Sequence, residues 1–187
     1  MALLDHKHIR NNQDHVDWSL ISRKKHLPID FIREFKDRID WENYTFINYL
    51  SVDFIREFKE HVDWCCISQY GTLSEDFIEE FQDKVNWYFI SGHQKLTEKI
   101  LDNFGEELDW SAVSLSRNLS VKLLKKYKNN IDWNLYFKNH SANFELLKEF
   151  IWKTNFKNIS EFKHHFLNDY EVKKIQKILK LKNLFKK

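Results

Sequence analysis

A tryptophan recurs every 23 residues through most of this chain. The six positions are Trp18, Trp41, Trp64, Trp87, Trp110 and Trp133, and Phe156 occupies the seventh. An unvarying period of this length is typical of one supersecondary unit copied end to end, and such units stack because one copy cannot bury its own apolar face. Repeats aligned on this period begin at residues 4, 27, 50, 73, 96, 119 and 142.

Within each repeat the apolar residues follow a helical pattern. Phe77, Ile78 and Phe81 are spaced by steps of one and three, which puts them on one helical stripe, whereas a strand alternates by two. With only 3 glycines and 1 proline in 187 residues, the chain has little material for hairpin turns. The sequence therefore predicts an all-α fold, an α-solenoid of about seven two-helix repeats.

Two helix starts are predicted in each repeat. The second position of four repeats carries a hydroxyl that can accept from the free amides of a first turn: Ser51, Ser74, Thr97 and Ser120. The fourteenth position is always Asp or Asn: Asp17, Asp40, Asp63, Asn86, Asp109, Asp132 and Asn155. We expect a helix A of about ten residues after the first signal and a shorter helix B, capped by the second. A row of metal-binding or proton-transferring carboxylates is the alternative, and the Asp/Asn exchange favours capping because an amide does not ionise.

The tryptophan row has two interpretations. Indole rings inside a repeating apolar pattern predict packing between repeats. Exposed rings at the same positions would instead form a stacking platform for bases or sugars. We expect the first, with the tryptophans buried between neighbouring repeats.

The C-terminal residues depart from the repeat. We assign residues 1–164 to the repeat array and residues 165–187 to a basic amphipathic helix that caps its end, with Val172, Ile175, Ile178 and Leu179 at helical spacing. Its lysines are a candidate basic contact surface for phosphates, an anionic membrane or an acidic partner: Lys173, Lys174, Lys177, Lys180, Lys182, Lys186 and Lys187. The charge of the chain also changes sign along the sequence. Residues 74–110 hold 3 basic and 10 acidic residues, whereas residues 119–187 hold 16 basic and 6 acidic residues.

Cysteine usage and hydropathy predict an intracellular, cytoplasmic protein. Cys65 and Cys66 are neighbours and cannot form a structural disulfide framework, which favours a reducing compartment. We find no apolar segment typical of a signal peptide or a transmembrane helix, so we expect a chain that is neither secreted nor membrane-spanning.

The repeat resembles a known type of tandem repeat. The pattern LSxDFIxEFxxxVDWxxIS, carried most clearly by residues 50–68 and 73–91, is similar to the repeats of proteins from large DNA viruses that infect amoebae. Its two-helix layout is also similar in outline to leucine-rich-variant repeats, which stack into a right-handed superhelix. The resemblance covers about residues 4–160 and implies a viral protein in the host cytoplasm or the virus particle. It implies no active-site residues.

The positions that differ between repeats are the ones available for recognition. They follow each tryptophan and fill the turns between repeats, and stacking would align them along one edge. Candidate partner-contact residues there are Tyr49, Tyr70, Tyr88, Gln94 and Arg117. Neutral surface drift is the alternative interpretation.

Motifs that carry catalysis were sought without success. The 9 histidines are scattered without zinc-site spacing, and HExxH, CxxC, P-loop, dinucleotide-binding and nucleophile-elbow patterns are missing from the sequence. We therefore expect no enzymatic activity, no metal and no cofactor.

Three functional hypotheses remain open. The first is a non-enzymatic interaction scaffold that binds a host or viral protein, or another copy of itself, through the variable edge. The second is a nucleic-acid or anionic-surface binder acting through the basic C-terminal end. The third is a virion structural protein, a minor capsid or bridging component.

Overall fold

The computed structural model describes residues 6–116, 119–141, 144–161 and 167–185. All regular structure in these ranges is helical, with fourteen α-helices and two 3-10 helices. The chain forms two compact units, Met1–Asn86 and Trp87–Lys187. The predicted all-α fold class is confirmed.

Helices of two kinds alternate along the chain. The A helices are α1 (His6–Asn11), α3 (Ile29–Phe35), α5 (Val52–Glu57), α7 (Glu75–Glu80), α9 (Glu98–Asn103), α11 (Val121–Lys126) and α13 (Phe144–Phe150). The B helices are α2 (Trp18–Ser22), α4 (Trp41–Ile47), α6 (Trp64–Tyr70), α8 (Trp87–His93), α10 (Trp110–Leu115) and α12 (Trp133–Asn139). The seventh repeat continues from α13 into two 3-10 helices, Ile151–Lys153 and Ile159–Glu161, and the chain then forms α14 (Asp169–Phe185).

Packing is serial in each unit. In the first unit α4 contacts both α2 and α6, and in the second unit α10 contacts both α8 and α12. Within each unit the B helices of adjacent repeats therefore pack against one another, which is the packing of an α-solenoid.

The predicted caps of the A helices are present. The hydroxyl oxygens of Ser51, Ser74, Thr97 and Ser120 each accept from the amide three residues ahead. The A helices are nevertheless six or seven residues long, so the expected ten was wrong. In the third repeat α5 ends at Glu57 and the chain then turns. The Lys59 carbonyl in this turn accepts a hydrogen bond from the indole N–H of Trp64 at 2.9 Å.

The Asp caps of the B helices are also present. The side chains of Asp17, Asp40, Asp63, Asp109 and Asp132 accept from first-turn amides. In the third repeat Asp63 Oδ1 accepts from the backbone N–H groups of Cys65 and Cys66 at 2.8 and 3.2 Å. The seventh member, Asn155, starts no B helix, since the described residues 156–161 that follow it form only the 3-10 helix Ile159–Glu161.

The tryptophans pack between repeats but are less buried than expected. Each indole lies against the aromatic residue at position 9 of the next repeat, with ring centroids 5.1 Å apart for Trp18 and Phe35 and 5.0 Å for Trp64 and Phe81. Trp133 alone among them is buried, and the other five are half-buried. Full burial was therefore a wrong expectation for five of the six rings. The indole N–H donates to a carbonyl of the preceding turn in buried and half-buried rings alike, to Lys128 from Trp133 and to Lys59 from Trp64.

A hydroxyl at position 19 links one repeat to the next, and sequence reasoning missed it. The residues are Ser22, Thr45, Ser68, Ser91 and Ser114, all buried. The Ser114 hydroxyl donates to the Trp110 carbonyl at 2.6 Å and accepts from the backbone N–H of Asp132, in the next repeat, at 2.9 Å. The other four accept in the same way from the capping residue 18 positions ahead. One buried hydroxyl therefore bonds to both repeats and holds them in register.

Ion pairs between adjacent repeats run along the A helices. In the first unit Arg10 pairs with Glu34, Arg33 with Glu57 at 2.5 Å and Arg56 with Glu80 at 2.7 Å. The hydrogen bonds from Arg33 hold the pKa of Glu57 below its ordinary value. In the second unit Lys125 pairs with Glu149 at 2.7 Å in the same order of charges, whereas Asp102 pairs with Lys126 at 2.8 Å in the reverse order. These pairs are exposed, so they orient neighbours more than they stabilise them.

Replacing Trp64 by Ala tests the packing between repeats. We expect the free energy of unfolding to fall by about 3 kcal/mol, the low end for an aromatic truncation because the ring is half-buried. Tyr70→Ala, at a side chain that is 62% exposed, should cost less than about 0.5 kcal/mol. Urea denaturation measures both, and equal small losses would contradict the packing role of the indole.

Replacing Ser114 by Ala tests the hydroxyl link. The variant leaves the Asp132 amide without its acceptor and should lose about 2 kcal/mol of unfolding free energy. Ser111→Ala in the same helix is the matched control, because Ser111 is exposed and only its backbone N–H takes part in the cap. The link would be unimportant if the two variants melted at the same temperature.

Candidate functional site

A cleft of about 780 Å³ opens in the first unit between the turns of consecutive repeats. Its walls come from the end of α4 with the turn into α5, and from α6 with the turn into α7. Aliphatic side chains form much of the surface: Ile47, Leu50, Val52, Ile55, Ile67 and Leu73. The volume is in the range of roughly 300–1,000 Å³ that small-ligand and side-chain pockets occupy.

Aromatic rings around this cleft are unusually exposed. Phe46 is 63% exposed, Tyr70 62% and Tyr49 fully exposed at 103%. Phe46 and Tyr70 meet edge to face, with centroids 5.5 Å apart and an interplanar angle of 78°. Large apolar side chains grouped in this way mark interaction sites, since a monomer gains nothing by leaving them in water.

Local bonds hold the turns that present these rings. The Asn48 amide donates to the Tyr44 carbonyl at 2.9 Å, and its Oδ1 accepts from the His26 backbone N–H at 3.1 Å. His26 has φ 58°, in the left-handed region. At the other wall Gly71 is needed, because a Cβ there would lie 2.6 Å from the Ile67 carbonyl oxygen. Side-chain hydrogen bonds and a required glycine therefore fix the backbone conformation of the turns that form the cleft.

A basic turn lies beside the cleft. It comprises Arg23, Lys24, Lys25 and His26, all exposed. Lys25 lines the cleft itself, and the cleft-lining residues include no carboxylate. Within the described part of the chain Lys24 and Lys25 form no ion pair, so their charge is available to a ligand.

Cys66 is the cleft residue with the most reactive type of side chain. Burial raises the pKa of its thiol to about 12, and the nearby Asp63 carboxylate acts in the same direction. At neutral pH the thiol is therefore protonated and a poor nucleophile.

The five predicted partner-contact residues are not all on one surface. Tyr49 and Tyr70 line the cleft, and Tyr88 is exposed on α8 in the second unit. Gln94 is buried at 5% exposure, so assigning it to a contact surface was wrong. Position 22 turns inward in this repeat, as it does at the half-buried Asn48. Arg117 lies outside the described residues.

The lysines of the candidate basic surface differ in exposure. Lys173, Lys174, Lys177 and Lys180 are exposed on α14. Lys182 is buried at 2% exposure and was wrongly assigned to the surface. It follows Ile175 and Leu179 by steps of seven and three, which places it on the helix face that packs inward. Lys186 and Lys187 lie outside the described residues.

Buried Lys182 anchors α14 to the seventh repeat. Its Nζ donates to the Ile151 carbonyl at 3.0 Å, to Thr154 Oγ1 at 2.9 Å and to the Phe156 carbonyl at 3.4 Å. These bonds replace the water that the ammonium group loses on burial. Helix α14 also packs on α13 and on the 3-10 helix Ile159–Glu161.

Comparison with known proteins adds no assignment. The chain matches no protein family, and the comparisons with curated proteins and with solved structures also give no match. Among the described residues no three His, Cys, Asp or Glu side chains are grouped so as to hold a metal ion. None of the helices in the described ranges combines the length and apolar character needed to cross a bilayer.

Proposed function

We propose that this protein is a non-enzymatic interaction scaffold that holds a segment of another protein in the cleft of its first unit. The observation that carries the proposal is the exposed trio Phe46, Tyr49 and Tyr70 around a cleft with aliphatic walls. Aromatic side chains of this kind supply most of the binding energy at protein interfaces when a partner covers them.

The division of labour within the repeat supports the proposal. Tryptophan, the capping Asp and the position-19 hydroxyl are engaged in holding repeats together. The exposed rings have other positions: Phe46 and Tyr70 lie near the ends of α4 and α6, and Tyr49 lies in the turn after α4. Their identity is therefore free to serve a partner. The protonated state of Cys66 also agrees with a binding role rather than nucleophilic catalysis.

The setting we propose is a cell infected by a large DNA virus, with the protein in the host cytoplasm. This part rests on the resemblance of the repeat alone. A role as a virion structural protein rests on the same resemblance and requires the chain to be present in purified particles.

Partner capture with a cleft variant tests the scaffold. The triple variant Phe46→Ser/Tyr49→Ser/Tyr70→Ser should keep its helical circular dichroism, because these side chains are exposed, and should lose the proteins captured by the wild type in expressing cells. The control is Leu115→Ser/Val121→Ser/Tyr170→Ser, which removes exposed apolar groups of the second unit. Quantitative mass spectrometry compares the three samples, and an identical partner set for both variants contradicts the proposal.

A second candidate function is binding to nucleic acid or an anionic surface through α14. Its support is the stripe Lys173, Lys177 and Lys180, which are exposed and, among the described residues, form no ion pair. Steps of four and three align these lysines on one face of a 17-residue helix.

Salt dependence tests this second candidate. Titration of the protein with duplex DNA, RNA and acidic vesicles at two salt concentrations should give affinities that fall steeply with salt. Lys173→Gln/Lys177→Gln/Lys180→Gln should reduce the slope of log affinity against log salt for DNA by about three. Lys36→Gln/Lys59→Gln/Lys128→Gln, at exposed lysines on repeat position 10, is the control. Equal slopes for both variants exclude α14 as the binding surface.

A further inference from the structure

The cleft lies beside a concentration of positive charge, and this pairing restricts what its occupant can be. Building on the proposed function, we infer that the cleft takes an acidic peptide segment of the partner protein. A large apolar side chain of that peptide enters the cleft, and flanking Asp or Glu residues reach the basic turn 23–26.

The apolar part of the recognition follows from the cleft walls. Leu50 and Leu73 face the space from two successive repeats, and Phe46, Tyr49 and Tyr70 surround it. A leucine, phenylalanine or tryptophan side chain inserted there removes these exposed rings from water. Burial of such an anchor in a preformed pocket is the usual source of affinity in peptide recognition.

The acidic part follows from the basic turn. Lys24 and Lys25 form no ion pair within the described residues, and Lys25 is the charged residue of the cleft lining. An apolar anchor alone would not distinguish one hydrophobic segment from another. Carboxylates beside the anchor would, because a lysine pair attracts acidic sequences and repels basic ones.

The two parts are held at a fixed separation. The His26 backbone N–H donates to Asn48 Oδ1, so the basic turn is bonded to the turn that carries Tyr49. His26 also lines a second, smaller cavity together with Tyr49 and Leu50. A ligand therefore meets the charge and the apolar space as one preorganised surface, which lowers the entropy cost of binding.

A single-stranded nucleic acid is the other ligand that combines aromatic and basic contacts. It needs flat ring faces for its bases and positive charge along the whole groove. Here Phe46 and Tyr70 meet at 78°, so each covers the other's face or edge, and the charge lies at one end. The geometry favours a peptide.

The experiment is a peptide selection on the full-length chain. A random peptide library displayed on phage is selected against the wild type, and enriched sequences are synthesised with a fluorescent label. Their affinities are measured by fluorescence polarisation for the wild type, Tyr49→Ser/Tyr70→Ser, and the charge reversal Lys24→Glu/Lys25→Glu. The matched charge control is Lys36→Glu/Lys59→Glu, at two exposed lysines that do not line the cleft. A labelled oligothymidylate is titrated in parallel.

The expected result has three parts. Enriched peptides carry Asp or Glu next to a large apolar residue, both cleft variants weaken their binding, and Lys24→Glu/Lys25→Glu lowers affinity about tenfold while the control reversal leaves it within about twofold. Replacing the peptide carboxylates by amides removes the difference between wild type and charge reversal.

Other outcomes separate the two proposals. Peptides that depend on Tyr49 and Tyr70 but show no acidic preference overturn the acidic ligand and leave the docking function in place. Peptides insensitive to Tyr49→Ser/Tyr70→Ser, or the absence of any enriched peptide, count against both. Cleft-dependent binding of the oligothymidylate tighter than that of the peptides replaces the peptide by nucleic acid.

Discussion

The hydroxyl at position 19 is the interaction on which the stacking of this chain depends. Tryptophan rings and aliphatic side chains supply most of the apolar burial between repeats, but such contacts tolerate sliding. A buried hydroxyl does not, because the Ser114 oxygen must meet both the Trp110 carbonyl and the Asp132 amide. A small shift of one repeat would leave a donor unsatisfied in the interior, so each link defines a single arrangement of its two neighbours.

That rigid link explains where variation is tolerated. Positions 14, 15 and 19 are tied together in space. The capping Asp donates its backbone N–H to the hydroxyl of the preceding repeat, and its side chain caps the helix that begins at the tryptophan. The turns that follow the B helices are joined by bonds that differ from one repeat to the next, such as the bond from the His26 N–H to Asn48 Oδ1 and the contact of the His140 ring with the Ser114 carbonyl. In the first unit these turns carry basic residues in one repeat and aromatic residues in the next two, and this difference builds the cleft.

Much of the framework could be predicted from the sequence because its signals are local. The Ser caps of the A helices and the Asp caps of the B helices depend on residues within one turn of helix, and the 23-residue period is visible directly as a recurring tryptophan. The hydroxyl link was missed although Ser22, Thr45 and Ser68 recur at the same period, because its partner is 18 residues away and no propensity rule describes it. Tyr49 and Tyr70 were predicted to be contact residues from their type, and both line the cleft. The cleft between them, and the inward turn of Gln94, depend on how successive turns fold against each other.

The last two repeats lack the hydroxyl link between repeats. Position 19 of the sixth repeat is Phe137, and in the seventh repeat Ser160 bonds to its neighbour Asn158. The Phe156 carbonyl is equivalent to the tryptophan carbonyls that accept from a serine hydroxyl in earlier repeats, such as Trp110. It accepts instead from the Lys182 ammonium group. A stack of identical units has no inherent length and would add further copies at its open end, as a fibre does. In this chain α14 packs on α13 and Lys182 bonds to the Phe156 carbonyl, so this surface of the seventh repeat is already covered and cannot receive another copy.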